Sequence, residues 1–443
     1  MIWLWIIAAL TLSCMLLYKK KIELSYYIWL LVPLDANGIN IAGATIKPYM
    51  IFAVIIFLIM CARNKGNDFD FSATKGQLLA GVICVLIFTI SLIGYQSIQP
   101  VFTSILLLLI YLCAQMSTTV TRCDKSEQIS DVFIASCFGC AAIYLVAYLC
   151  LKSGISIDGI VTLHREQPGM FMKMSNMSNG QYVEAFRLRG FAYDPNTMFL
   201  PFSFGISACV SRLFRKFNFY YVLTLIMSVV CIVLSSSRMG ILCCVICFAV
   251  TCIVSILRFE SVRKKILSSI AVLSMCAGFL VLLVSQFGQR LMGSLLSTYT
   301  NRASLTDEYG RFSIWEECLN VYWDENPLFG VGISQMSKIT ATERMTHNTW
   351  LEFICECGLI VGGLAVIYFL TIAIIGWVKT KTYHKIDPDN TSFLAVVIGY
   401  TMTLVALVSV DNITCSYLWF SGLLVLKMSQ YATDTLYSRN LKN

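Results

Sequence analysis

Apolar stretches of roughly membrane-spanning length recur along most of the chain. A helix needs about 20 apolar residues to cross the hydrocarbon layer. Thirteen segments meet or nearly meet this length: about 1–18, 24–43, 48–62, 77–93, 101–116, 131–151, 194–211, 218–235, 239–257, 266–286, 350–376, 391–409 and 413–430. The weakest is 24–43, which Pro33, Asn37 and Gly38 interrupt. The pattern predicts an all-α polytopic membrane protein with about 12–13 transmembrane helices.

Two of the connections are long, and they divide the chain. The predicted parts are N-terminal helices 1–151, a first outer loop 152–193, central helices 194–286, a large outer loop 287–349, and C-terminal helices with a tail, 350–443. One set of alternate connections, together with the C-terminal tail, holds 21 of the 33 basic residues, whereas the short connections of the other set hold only Lys47 and Arg238. Basic residues collect on the cytoplasmic side. We therefore expect the N-terminus and both long loops outside and the C-terminus inside.

Composition supports this interpretation and excludes others. The chain is 57% hydrophobic and only 13% charged, about half of the roughly 25% expected of a soluble domain. This excludes a water-soluble enzyme, a nucleic-acid-binding protein and a disordered scaffold. The net charge of +8 follows from the basic inner face, so no nucleic acid is expected as a partner. Most of the 19 cysteines lie within apolar runs, where cysteine acts as a small hydrophobic residue.

The first outer loop ends in a basic motif beside a turn. Arg187 and Arg189 precede Asp194-Pro195-Asn196, directly before an apolar span. Pro195 suits the first turn of a helix with Asp194 as its N-cap. One interpretation is a re-entry turn with interfacial arginines. The other is an anion site, because helix N-termini attract negative charge.

Arg238 lies between two apolar spans, after three serines and before Met239-Gly240. A charge at such a place is costly unless it is paired or reaches water. It either extends to the membrane surface or points into an outward cavity.

The second outer loop contains an amphipathic stretch from Gly310-Arg311 to about Trp323, expected to lie on the membrane surface with its apolar side down. Asn326-Pro327-Leu-Phe-Gly-Val-Gly332 then turns the chain. The loop ends at His347, beside Asn348 and five residues before Glu352. A histidine there either borders a helix start or serves as a base near neutral pH.

These motifs, in this order, resemble the O-antigen ligase and O-antigen polymerase (Wzy) superfamily of bacterial envelope proteins. The resemblance rests on Arg187-x-x-Gly190 with Asp194-Pro195-Asn196, Ser-x-Ser-Arg238-x-Gly240, Gly310-Arg311-x-x-x-Trp315 with Asn326-Pro327-Leu-Phe-Gly-x-Gly332, and His347-Asn-x-x-Leu351-x-x-x-x-Glu356-x-Gly358. It implies a GT-C-like glycosyltransferase of the bacterial inner membrane. Its donor would be a glycan on undecaprenyl diphosphate, and neither metal nor another cofactor would be needed.

The resemblance also implies roles for individual residues. Arg238 and Arg311 would bind the donor diphosphate, and His347 would act at the acceptor hydroxyl. Arg187 matches a motif position that is less uniform within the family, and it would be a further phosphate or glycan contact. The supporting candidates are Arg189, Arg344, Asn348 and Glu352. Membrane lipids, a chain-length regulator and a flippase of the same pathway are the expected partners.

Three functions fit these features. The complete Arg187–Asn196 motif and the long Gly310–Gly332 motif look more like a polymerase of repeat units than a ligase, which transfers finished polysaccharide to lipid A–core. A transporter of lipid-linked oligosaccharide needs charges at mid-depth of the spans, whereas most charges here lie at their ends.

Overall fold

The computed structural model describes residues 2–41, 44–63, 73–93, 98–155, 160–162, 169–178, 181–259, 261–270, 272, 274, 310–387 and 390–440. The helices in these ranges are α1 (Ile2–Leu17), α2 (Leu24–Leu34), α3 (Pro48–Arg63), α4 (Lys75–Ile93), α5 (Gln99–Thr119), α6 (Glu127–Lys152), α7 (Phe199–Leu213), α8 (Phe219–Leu234), α9 (Arg238–Leu257), α10 (262–270), α11 (Arg311–Glu325), α12 (Met336–Ile339), α13 (Thr349–Cys357), α14 (Gly363–Ile386), α15 (Ser392–Ala406) and α16 (Ser416–Asn440).

Two small sheets accompany the helices. Strands β1 (Ile39–Ile41) and β2 (Ala44–Ile46) form an antiparallel hairpin. In the first predicted loop, β3 (Val161–Thr162) pairs in parallel with β4 (Phe171–Ser178), which pairs antiparallel with β5 (Gln181–Leu188). The register of β4 and β5 places Arg187 opposite Met172. The predicted loop 152–193 therefore has regular structure that its polar composition did not reveal.

Seven helical stretches among the described residues are long and apolar enough to cross a membrane: Ile2–Lys20, Lys75–Leu92, Gln99–Thr119, Glu127–Lys152, Arg238–Leu257, Thr349–Ile386 and Ser392–Ser409. Four further apolar helices are shorter, at 10–17 residues: Leu24–Leu34, Pro48–Ala62, Phe199–Leu213 and Phe219–Leu234. The expected all-α polytopic fold is confirmed. The predicted span 266–286 lies mostly outside the described residues, and part 287–309 of the large outer loop lies wholly outside them.

The segment 24–43 is not one spanning helix. Helix α2 ends at Leu34 and the chain turns into the β1–β2 hairpin. A side chain at Gly38 would lie 2.5 Å from the Ile46 carbonyl oxygen, so the hairpin needs glycine there. Asp35 and Lys47, on either side of the hairpin, form an ion pair at 2.6 Å. Side-chain pairing across the hairpin therefore replaces the continuous helix that hydropathy indicated.

The core is formed by α6, α7, α15 and α16: α6 packs against α7, α7 against α15, and α15 against α16. Helix α15 lies at its centre, with nearly all its residues buried. Small residues permit this approach: a side chain at Gly205 would meet Cys137 of α6, and one at Gly399 would meet Phe204 of α7. The cysteines of this region, such as Cys137 and Cys209, are free and buried, as their apolar surroundings predicted.

Contacts assign the connections to two ends of the bundle. At one end, Asp131 pairs with Lys20 at 2.6 Å and with Arg212 at 2.8 Å. Ser126 also bonds there to Tyr383 of α14. These residues belong to the predicted basic inner connections. The other end joins the Arg187 strand, the α8–α9 turn, α11 and the start of α13, and it contains the candidate functional site.

Candidate functional site

His347 has an unusual backbone conformation at the beginning of α13. Its φ is +49°, a left-handed value that is uncommon for residues other than glycine. The flanking residues support this turn: Thr346 Oγ1 donates to the Asn348 carbonyl at 3.0 Å, and Asn348 N–H donates to Thr346 Oγ1 at 3.3 Å. Such strained positions often occur at functional sites, because the surroundings must hold them in place.

Asp411 is the partner of His347. The His347 Nδ1 atom lies 3.4 Å from Asp411 Oδ1, with about 29% of the histidine and 15% of the aspartate side chain exposed. This distance is longer than an ordinary N–H···O hydrogen bond. The contact becomes an ion pair when the imidazole is protonated. With Nδ1 facing the carboxylate, Nε2 is the ring nitrogen left to meet a substrate.

The loop carrying Asp411 is fixed to α13. Thr349 Oγ1 donates to the Val410 carbonyl at 2.7 Å and accepts from Asn412 N–H at 3.0 Å. Because both neighbours of Asp411 bind the same α13 side chain, the position of the carboxylate relative to His347 is set by the backbone.

Arg311 begins α11 and faces this pair. Its Nη2 donates to the Ser409 carbonyl at 3.0 Å. Burial lowers the pKa of Arg311; the Asp194 and Asp411 carboxylates oppose that effect, and the Arg238 guanidinium adds to it. Arg311 and Arg238 therefore lie within electrostatic range of each other.

One turn along α11, Trp315 connects this helix to the histidine loop. Its Nε1 donates to the Thr346 carbonyl at 2.7 Å. The apolar stripe of α11 (Ile314, Cys318 and Tyr322) is buried and packs against protein residues that include Cys355. The prediction that this stripe faces the membrane is wrong, because the stripe packs on the protein and positions Arg311 and Trp315 against α13.

Arg238 occupies the first position of α9 and is exposed. Ser237 caps the helix by accepting from Gly240 N–H at 2.9 Å, and its hydroxyl donates to Asn196 Oδ1 at 2.7 Å. Ser236 has a φ of +49°. The serine motif and the Asp-Pro-Asn motif are therefore parts of one structure that presents Arg238 at this end of the bundle.

Arg187 and Arg189 differ in their roles. Arg187 is buried, and its Nε donates to the Ser235 carbonyl at 3.0 Å, which places it beside the turn carrying Arg238. Arg189 is also buried; it donates to the carbonyls of Gly169 at 2.6 Å and Tyr193 at 3.3 Å. Burial lowers the pKa of Arg189, with Asp194 and Tyr193 opposing it. Arg189 thus holds the loop together.

The predicted helix start at Asp194 is wrong. Asp194 Oδ1 accepts from Asn196 N–H at 2.7 Å, and its carbonyl accepts from Thr197 and Met198. These bonds close a turn over 194–198, and α7 begins only at Phe199. An aspartate before Pro-Asn favours this turn because its side chain satisfies the backbone locally.

Three supporting candidates lie around the histidine. Asn348 caps α13, accepting from the N–H groups of Trp350 and Leu351. Glu352 lies one turn further, with its Oε2 buried and forming no hydrogen bond among the described residues. Arg344 interacts electrostatically with Glu317 on α11. Asn348 thus shapes the loop, whereas Arg344 belongs to the interface between α11 and the histidine loop.

Glu356 holds the glycine-rich motif. Its Oε2 accepts from Ser334 N–H at 2.7 Å and its Oε1 from Met336 N–H at 3.3 Å. Gly330 and Gly358 have φ values of +78° and +76°, and a side chain at either would strike the backbone of the other segment. Glu356 therefore binds backbone amides of the glycine-rich segment.

A family comparison agrees with this arrangement. Residues 223–367 match the model of the O-antigen ligase family (Wzy_C), about a third of the chain. This segment is therefore similar to the O-antigen ligase domain. The superfamily resemblance inferred from the motifs is confirmed, and the family implies a glycosyltransferase-like enzyme acting on lipid-linked saccharides. No significant match was found among curated proteins.

The Wzy_C segment contains Arg238, Arg311 and His347 but ends before Asp411. Sequence reasoning missed Asp411, although the polar residues Asp411-Asn412 between two apolar spans were a signal. It also missed Ser409. Arg311 binds the backbone carbonyl of Ser409, and because every residue type has this group, the sequence offers no signal for the contact. Among the described residues, no cluster of three or more His, Cys, Asp and Glu is placed to hold a metal ion.

Proposed function

We propose that the protein is a polymerase of surface-polysaccharide repeat units, transferring a glycan from undecaprenyl diphosphate to a sugar hydroxyl of another lipid-linked repeat. The observation that carries this proposal is the His347–Asp411 pair beside Arg311, which lies within electrostatic range of Arg238. A base and two fixed cations are the groups that such a transfer requires. We place the reaction at the outer face of the inner membrane, with the pathway flippase supplying donors and a chain-length regulator as a further partner.

In the transfer, His347 Nε2 removes the proton of the acceptor hydroxyl as its oxygen attacks the anomeric carbon. The bond from that carbon to the diphosphate oxygen breaks, and undecaprenyl diphosphate leaves with the electron pair. Attack from the side opposite the diphosphate inverts the anomeric centre. Asp411 stabilises the imidazolium that forms, since its carboxylate lies 3.4 Å from Nδ1.

Negative charge grows on the departing diphosphate during this step. Guanidinium groups bind phosphate oxygens in a bidentate manner and cannot lose their proton. Arg311 is held by the Ser409 carbonyl and Arg238 by its place at the start of α9. Fixed donors at the site of developing charge contribute strongly to catalysis, because they need not reorganise. Arg187 supports the turn that carries Arg238.

A ligase is the second candidate, favoured by the description of the matched family as O-antigen ligase. Both reactions use the same base and diphosphate site, but their acceptors differ. Deleting the gene separates the two. Loss of a polymerase leaves single repeat units on the lipid A–core, whereas loss of a ligase leaves none and accumulates lipid-linked polymer.

Purified protein and defined lipid-linked repeats test the proposed chemistry. We expect His347→Ala and Arg311→Ala to abolish the formation of longer products, because one removes the base and the other a diphosphate contact. Lys338→Ala serves as the control, since Lys338 is an exposed cation of the same region. Full elongation by normally inserted His347 and Arg311 variants would rule out these roles.

A further inference from the structure

The turn of residues 326–332, which follows α11, carries two exposed apolar side chains that the proposed chemistry does not use. Leu328 is 52% exposed and Phe329 is 48% exposed. Hydrogen bonds within the turn hold its backbone: Gly330 N–H donates to the Asn326 carbonyl at 2.8 Å, and Phe329 N–H donates to Asn326 Oδ1 at 3.2 Å. The two apolar side chains therefore extend from a fixed backbone.

This turn is bonded to a membrane span. Leu359 N–H donates to the Pro327 carbonyl at 3.0 Å. Ile360 N–H donates to the Leu328 carbonyl at 3.4 Å. A side chain at Gly358 would lie 2.2 Å from the Leu328 carbonyl oxygen, so the two backbones are in direct contact. The depth of residues 358–360 in the membrane therefore sets the depth of the turn.

The distribution of charge places this part of the span just inside the hydrocarbon layer. The stretch Thr349–Ile386 is long and apolar enough to cross a membrane, and its residues 357–378 include no charged side chain. At about 1.5 Å per residue, these 22 residues cover about 33 Å, which matches the hydrocarbon thickness of about 30 Å. Leu359 and Ile360 therefore lie within one helical turn of the end of that layer.

The turn lies at the end of the lipid-facing side of the same span. Exposed apolar residues of the span recur at intervals of three, four or seven residues: Ile360, Ile367, Leu370, Ile374 and Val378. This spacing puts them on one side of the helix. Exposed apolar side chains of a span face lipid acyl chains, which are as apolar as leucine. The bonds to residues 359–360 thus place Leu328 and Phe329 beside the end of a lipid-facing surface.

We propose that Leu328 and Phe329 insert into the acyl chains of the membrane leaflet on the side of the candidate site. Lipid covers them because the span to which the turn is bonded already faces lipid at this depth. Moving two large apolar side chains from water into hydrocarbon is favourable. The inserted turn holds α11, and with it Arg311 at the start of that helix, at a constant height relative to the bilayer.

Paramagnetic broadening of a fluorine NMR signal measures the depth of the turn. Trifluoromethylphenylalanine takes the place of Phe329, or of Leu328 in a second protein, and the full chain is placed in phosphatidylcholine nanodiscs. One sample contains lipid with a nitroxide near the top of its acyl chain, and the other contains a gadolinium chelate in the water. The same label at Ile367 of the span is the lipid reference, and the label at Glu316, an exposed residue of α11, is the water reference.

We expect the lipid nitroxide to broaden the signals at Leu328 and Phe329 at least as strongly as the signal at Ile367, which lies deeper. The chelate should broaden them much less than the signal at Glu316. Two results would overturn the proposal: stronger broadening by the chelate than by the nitroxide, which places the turn in water, or weak broadening by both, which shows that a protein surface covers it. The second labelled position gives the answer if a label at the first prevents folding. These outcomes do not depend on the proposed enzyme activity.

Discussion

Asp411→Asn is expected to slow glycosyl transfer while leaving donor binding intact. The substitution keeps the size of the side chain but removes the negative charge 3.4 Å from His347 Nδ1. In the wild type, this charge stabilises the imidazolium that forms when the acceptor proton is taken. The amide also offers two possible orientations to the ring, so the imidazole loses a fixed partner.

The structure bounds the size of this effect. At 3.4 Å, two unit charges attract by about 5 kcal/mol at an effective dielectric constant of about 20, which is an upper limit. Fully exposed pairs contribute about 0.2–1 kcal/mol. The pair is partly exposed, at 29% and 15%, so about 1.4–2.7 kcal/mol is expected. This corresponds to a loss of about ten- to hundredfold in kcat.

The assay is the initial rate of chain extension at varied donor concentration. Because Asp411 also opposes the charge of Arg311, its removal should leave the KM for the donor unchanged or lower it. Asp324→Asn, an exposed carboxylate on α11, is the matched control and should behave like the wild type. A kcat within twofold of the wild type, or a loss confined to KM, would refute the role of Asp411.

Two further predictions concern how α11 and its loop are held. Glu356→Gln should lower the free energy of unfolding by about 1–3 kcal/mol, since the amide cannot accept hydrogen bonds from both Ser334 and Met336. The unfolding midpoint measures this loss, and the exposed Glu316→Gln variant is the control. Equal midpoints in the two variants would contradict the prediction. Burial, aided by Glu317 and Glu356, raises the pKa of Cys318 to about 12, so the reactive thiolate should be about a thousandfold scarcer at pH 8 than in an ordinary thiol. Peptide-level mass spectrometry should find that maleimide labels Cys318 slowly in the folded protein and that the labelling rate increases with pH. Rapid labelling at pH 8 would show that α11 does not pack on α13.

Much of the fold was accessible from hydropathy, and the reasons for the exceptions are physical. A run of apolar residues identifies a helix because the backbone must satisfy its own hydrogen bonds in lipid. The same logic fails for 24–43, where the Asp35–Lys47 pair and the approach of Gly38 to Ile46 stabilise a hairpin instead. These contacts join residues whose pairing no local pattern shows.

The candidate site was likewise predictable from the sequence only in part. Arg238, Arg311 and His347 stood out because charged or titratable residues at the ends of apolar spans are costly and rare. Their individual surroundings could not be inferred in this way. Arg189, predicted as a supporting ligand, bonds to the carbonyls of its own loop, and α11 turns its apolar stripe to the protein.

The sequence by itself determined that this is a helical membrane protein, which residues lie at the ends of its spans, and which family its motifs resemble. These properties are local, because each depends on the residues of one segment. Only the tertiary structure decided that Asp411 lies 3.4 Å from His347 and that Arg311 bonds to the Ser409 carbonyl. Each of these contacts joins segments far apart in the chain, and the packing of the helices sets their distances.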